Sequence, residues 1–103
     1  IGFTRVYVDA NRATIPAKAN FGGRPIFEWL EEKHQIRLRT LSQDISAVAM
    51  ATSEAKALGE KTGTPALRII RRYFDATLRN YIISITTHRS ADFVYNLRMD
   101  IEQ

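Results

Sequence analysis

The stretch Ala57-Leu58-Gly59-Glu60-Lys61-Thr62-Gly63-Thr64-Pro65-Ala66-Leu67-Arg68-Ile69-Ile70-Arg71-Arg72-Tyr73-Phe74-Asp75 decides the fold class, because it passes from a helix end through a glycine loop into a strand. Gly59 stops the helix, since glycine takes the left-handed conformation that closes a helix without a Cβ clash. Pro65 biases Thr64 toward extended geometry. Ala66 to Asp75 then supplies β-branched and aromatic residues in a strand-length run. A turn over Asp75 to Asn80 returns the chain along Tyr81 to Thr87, an expected antiparallel partner. Phe93 to Ile101 alternates cleanly, with Phe93, Tyr95, Leu97, Met99 and Ile101 on one face, and is expected to be the last strand.

Upstream, Phe3 to Val8 sets Phe3, Arg5 and Tyr7 against Thr4, Val6 and Val8, a strand pattern. Asp9 to Arg24 carries Asn11, Pro16, Asn20 and the Gly22-Gly23 pair and reads as a loop. Pro25 suits the first position of a helix, where its missing N–H costs nothing. Ile26, Trp29, Leu30 and Lys33 form one stripe at helical spacing, which predicts an amphipathic helix from Pro25 to about His34. Ile36 to Met50 changes to period two. Its parity slips between Leu38 and Leu41, so a bulge or bend is expected near Thr40. Thr52 or Ser53 can cap a second, short helix, with Glu54 at its positive end. Strands outnumber helices and come in hairpins, which argues α+β with a mainly antiparallel sheet and packed helices, in one compact unit over residues 1–103.

Composition excludes several classes. The chain has 103 residues, 45% of them hydrophobic and 25% charged, an ordinary balance for a globular domain. It has no cysteine, which rules out thiol catalysis, cysteine zinc sites and disulfides. No apolar run approaches the roughly 20 residues of a membrane span, so a cytoplasmic protein is expected, with no membrane partner. The net charge of +4 is spread along the sequence among acids, and only Arg71 and Arg72 are adjacent arginines. Neighbours on a strand point to opposite faces, so a solvated surface explains the charge better than a nucleic-acid patch. His34 and His88 stand far apart without metal-ligand spacing, no nucleophile elbow is present, and Gly59 and Gly63 lead into a strand, whereas a phosphate cradle opens a helix. No cofactor, no metal site and no catalytic residue is expected.

The order Arg24-Pro25-Ile26-Phe27-Glu28-Trp29-Leu30-Glu31-Glu32, then Gln43-Asp44-Ile45-Ser46-Ala47, then Glu54-Ala55-Lys56-Ala57-Leu58-Gly59 with Gly63-Thr64-Pro65-Ala66-Leu67-Arg68-Ile69, resembles the UTRA domain, and Thr87-His88-Arg89-Ser90-Ala91-Asp92-Phe93-Val94-Tyr95 fits the family's ending. UTRA domains are the effector-binding domains of HutC-type regulators in the GntR family of bacterial transcription factors. The resemblance implies a fold similar to chorismate lyase, a small-molecule pocket, a homodimer, and DNA contact through a winged helix-turn-helix that these residues do not include. It also implies that the chain enters partway into the family domain, truncated on its N-terminal side, so that a second copy would supply the lost sheet edge.

Strand parity places Ile82, Ser84, Thr86 and His88 on one face of Tyr81 to His88, with Arg89 adding charge at the strand end. Such a row suits a carboxylate, a phosphate or a hydroxyl-rich metabolite; a strand face bathed in solvent explains the same hydroxyls. The resemblance adds Thr4, Phe27, Gln43 and Ser46 to these ligand candidates, although an aromatic on a helix, as Phe27 is, more often belongs to the core. In the family an acid often stands at the positions of Thr4 and Ile82 and a tyrosine at that of His88, and their absence argues against an amino-sugar phosphate. Two other classes compete: a chorismate lyase-like enzyme acting on a small acid, and a basic nucleic-acid-binding module. The favoured expectation is a non-catalytic effector-binding domain.

Overall fold

A computed structural model describes residues 2–15, 21 and 23–101. Strand β1 (Gly2–Val8) is followed by helix α1 (Ile26–His34), strand β2 (Thr40–Ala49), helix α2 (Thr52–Leu58), strand β3 (Pro65–Phe74), strand β4 (Asn80–Arg89) and a single 3-10 turn, Ser90–Asp92. The four strands form one sheet in the order β1-β4-β3-β2, and every pair is antiparallel. The α+β class with an antiparallel sheet is therefore as the sequence predicts.

The helices cover opposite faces. On one, Trp29 and Leu30 of α1 pack with Ile36, Tyr81 and Ile82. On the other, Ala55 of α2 packs with Met50 and Ala66. Pro25 caps α1 from just outside it, and Gln35 closes it in the left-handed region at φ 52°, donating its N–H to the Glu31 carbonyl. Gly59 closes α2 at φ 69°, where a glycine carries no Cβ penalty.

Four expectations are corrected. Ile36 to Arg39 is not strand, because Gln35 redirects the chain and Ile36 is buried beneath α1. The parity slip marks this entry, and the β2–β3 register runs unbroken from Thr40 to Ala49. The irregularity lies instead between Tyr73 and Phe74, opposite β4. Thr52 is the first residue of α2 and Ala51 its cap position, where the Glu54 carboxylate accepts the Ala51 N–H at 3.0 Å. Residues 93–101 are not a strand, and Val94, Tyr95, Leu97, Met99 and Ile101 are exposed. Alternation makes a strand only where a neighbour offers backbone partners, and no strand among the described residues does. Of the expected loop, Pro16, Asn20 and Gly22 lie outside the described residues.

Asp75 builds the β3–β4 turn. Its Oδ1 accepts hydrogen bonds from the Thr77 N–H, the Thr77 hydroxyl and the Arg79 N–H, while Arg12 Nη1 lies 2.6 Å from its Oδ2 and ties the chain after β1 to the same corner. The Thr77 hydroxyl foremost, then the Arg79 N–H and Arg12, hold this carboxyl far below the usual carboxylate range in spite of its burial. No helix among the described residues is long and apolar enough to cross a membrane.

Leu30 is 0% exposed at the centre of the larger cluster. Its truncation removes buried methyl groups and leaves a void, so Leu30→Ala is expected to lose about 2–5 kcal/mol in urea unfolding. A loss under 1 kcal/mol would show that α1 does not hold the sheet in this way.

Candidate functional site

Strand pairing gathers the site. Thr4 of β1 stands opposite Thr86 of β4, and Ser84 of β4 opposite Arg71 of β3, so the period of two sends these residues to the face that α1 covers. There they border a cleft of about 240 Å³ together with Val6, Tyr73, Ile82 and the start of α1 at Pro25, Ile26 and Phe27. The Thr4 and Thr86 hydroxyls lie 3.0 Å apart. Phe27 and Tyr73 form an aromatic wall with ring centroids 5.8 Å apart.

Arg71 gives the cleft its charge. Its Nε donates to Gln43 Oε1 at 2.8 Å, which fixes the guanidinium without neutralising it. Among the described residues no carboxylate pairs with Arg71. The α1 N-terminus, where N–H groups lack helical partners and the helix dipole is positive, borders the same space. A cationic fork, hydroxyls of either polarity and an aromatic wall can hold a small anion with hydroxyl groups.

The opposite face carries a buried charge network. Glu54 is only 5% exposed. Its carboxylate accepts the Ala51 N–H, two contacts from Arg68 Nη2 at 2.8 and 3.1 Å, and a hydrogen bond from the Thr87 hydroxyl. Burial by itself would raise the Glu54 pKa, but the Thr87 and Ala51 hydrogen bonds and Arg68 outweigh it, so the carboxyl titrates below its usual range. This network pins α2 to β3 and β4.

Of the sequence-predicted residues, Thr4, Phe27, Ser84 and Thr86 share the cleft, and Gln43 touches it through Arg71. His88 lies on the same face at the strand end, stacked on Phe93 at 4.9 Å and outside the cleft lining. Ser46 stands opposite Arg68, on the α2 side. Arg89 is committed to Asp92 and Glu60. Sequence reasoning missed Arg71 and Tyr73 as lining residues. Their alternation with Ile70 and Arg72 was visible, but which parity faced Ser84 depended on the β3–β4 register.

The sequence pattern that defines the UTRA domain matches residues 3–93. A comparison with curated proteins returned no match. Among solved structures, the chain is similar to the C-terminal domain of Yurk from Bacillus subtilis, with a TM-score of 0.81 at 12% identity over 95% of this chain and 68% of that one. It is also similar to a GntR-family transcriptional regulator from Enterococcus faecalis, with a TM-score of 0.79 at 20% identity over 96% and 70%. A third is the ligand-binding domain of a protein assigned as a GntR-family transcriptional regulator in Bordetella bronchiseptica, with a TM-score of 0.74 at 13% identity over 96% and 62%. The chain thus spans roughly two thirds of the length of these structures, and identities this low establish a shared fold.

Glu54→Gln is expected to destabilise the domain by about 1–3 kcal/mol at pH 7, since it removes the charge that Arg68 and Thr87 satisfy. Because the folded pKa lies below the ordinary 4.5, this contribution is complete above that value and fades as the pH falls through the folded pKa. Urea melts of both proteins should therefore converge in acid. Equal stability at pH 7, or a gap that widens on acidification, would contradict this role.

Proposed function

The chain belongs to the UTRA domain family, and from that premise we propose that it is the effector-binding domain of a cytoplasmic, GntR-family transcription regulator of the HutC type. The parent regulator acts as a homodimer, and its operator contacts are made by a winged helix-turn-helix outside these residues. An effector that binds one conformation of the domain better than another shifts the population that the operator meets.

The observation that carries this reading is the cleft under the start of α1, where Thr4, Ser84 and Thr86 meet Arg71 and the Phe27–Tyr73 wall. Its effector is a small anionic metabolite bearing hydroxyl groups. Arg71 and the α1 N-terminus hold the carboxylate or phosphate, the threonines and Ser84 take the hydroxyls, and the aromatic pair covers the carbon skeleton. His88, set at the mouth end of β4 and stacked on Phe93, orders the segment that follows the strand.

The chemistry of the cleft suits holding a ligand without turnover. Ser84 is buried and faces Arg71, its partner across the strands, and among the described residues the lining holds no histidine to take its proton. The enzyme reading of a chorismate lyase-like fold therefore gains no support from the lining, and fold likeness alone does not supply an activity.

A melting-temperature screen of sugar phosphates, hydroxy acids and phosphorylated polyols is the direct test. One class should stabilise the domain saturably, by about 2.7 kcal/mol at a hundredfold excess over Kd. Arg71→Gln and Thr86→Val should each weaken that ligand by about tenfold while leaving the unliganded melt near its original temperature. Stabilisation that survives both substitutions would move the effector elsewhere.

A further inference from the structure

The face away from the effector cleft holds a second cavity, of about 290 Å³, at the small end of the range for ligand sites. Its floor is apolar: Ile70 and Ile85 stand directly opposite each other across β3 and β4, and Phe3 lies beside them on β1. Its rim is cationic, formed by Arg5 on one side and Arg68 on the other.

The charges there do not balance. Glu54, the only carboxylate in the lining among the described residues, is already saturated by Arg68, Thr87 and the Ala51 N–H. Among the described residues the recorded partners of Arg5 are neutral: its Nη2 donates to Ser53 Oγ at 2.6 Å, and its guanidinium carbon lies 5.2 Å from the Phe3 ring centroid. Asp44, next across the sheet from Ile70, is committed to Arg72 at 2.8 Å. Two guanidinium groups against one carboxylate leave a single positive charge over a hydrocarbon floor.

We propose that this cavity is a second small-molecule site, which takes a monocarboxylate with an apolar, ring-sized body. The carboxylate displaces the Ser53 hydroxyl from Arg5 and forms a charge-assisted pair with the guanidinium. The ring lies on Ile70 and Ile85 beside Phe3, where burial of apolar surface adds to the affinity. A phosphate or a polyol would leave that floor uncovered and its own hydroxyl groups without partners. The ligand class therefore differs from that of the α1 cleft, and the two sites lie back to back through the sheet.

Benzoate is the probe, benzyl alcohol its uncharged control, and the readout is the backbone amide spectrum of the full chain. Benzoate should shift Arg5, Arg68, Ile70, Ile85 and Thr87 saturably while leaving Thr4, Arg71 and Ser84 in place. Benzyl alcohol should bind about tenfold more weakly, and Arg5→Gln should weaken benzoate by a similar factor. Ser53→Ala removes only the tether of Arg5 and should retain benzoate binding, which keeps the test valid if Arg5→Gln fails to fold. The proposal is overturned if benzoate shifts only α1-cleft residues or none at all, if benzyl alcohol binds equally well, if Arg5→Gln keeps full affinity, or if Ser53→Ala abolishes binding.

Discussion

The register of β4 is the constraint on which the rest of the structure depends. This strand is paired on both sides, to β1 and to β3, and from Ile82 onward its side chains divide between two faces. Ile82, Ser84 and Thr86 go to the side of α1 and meet Thr4 and Arg71, whereas Ile85 and Thr87 go to the side of α2 and meet Phe3, Arg5 and Arg68. A slip of one residue would send the hydroxyl row to the wrong side and Ile82 out of its core. The pairing that folds the sheet is thus the same pairing that composes each cavity.

Two carboxylates fasten this arrangement. Glu54 satisfies its oxygens from three elements at once, so burial of its charge is compensated, and α2 cannot leave the sheet without exposing unpaired donors on Arg68 and Thr87. Asp75 does the same at the far end, where a turn with Leu78 at φ 63° is held by three hydrogen bonds to one oxygen. Between these anchors, the α1 cleft is bounded by side chains with less commitment. Arg71 has an amide partner, and Thr4 and Thr86 have each other. Polar groups that a guest can recruit without breaking a buried ion pair are suited to reversible occupancy.

Much of the fold is legible from periodicity. The stripe of Ile26, Trp29 and Leu30 located α1, Gly59 ended α2, and the alternation of Tyr81 to Thr87 located β4 and its hydroxyl row. Periodicity failed where structure depends on a distant neighbour. Phe93 to Ile101 alternates as well as any strand here, but alternation supplies no hydrogen-bonding partner. Gln43 and Ser46 were matched together by resemblance, yet three steps along one strand put them on opposite faces. Arg71 became part of the cleft only once Ser84 was known to be its cross-strand partner. The Glu54 network joins residues 14 and 33 positions apart, a distance no local pattern reports.

The sheet terminates in β1 and β2 among the described residues, and each terminal strand turns one row of amides and carbonyls outward. Growth through such rows is one-dimensional. Copies that stacked through them would extend along the inter-strand hydrogen bonds with a step of about 19 Å, four strand spacings, and both cavities would remain open on the flanks of the resulting ribbon.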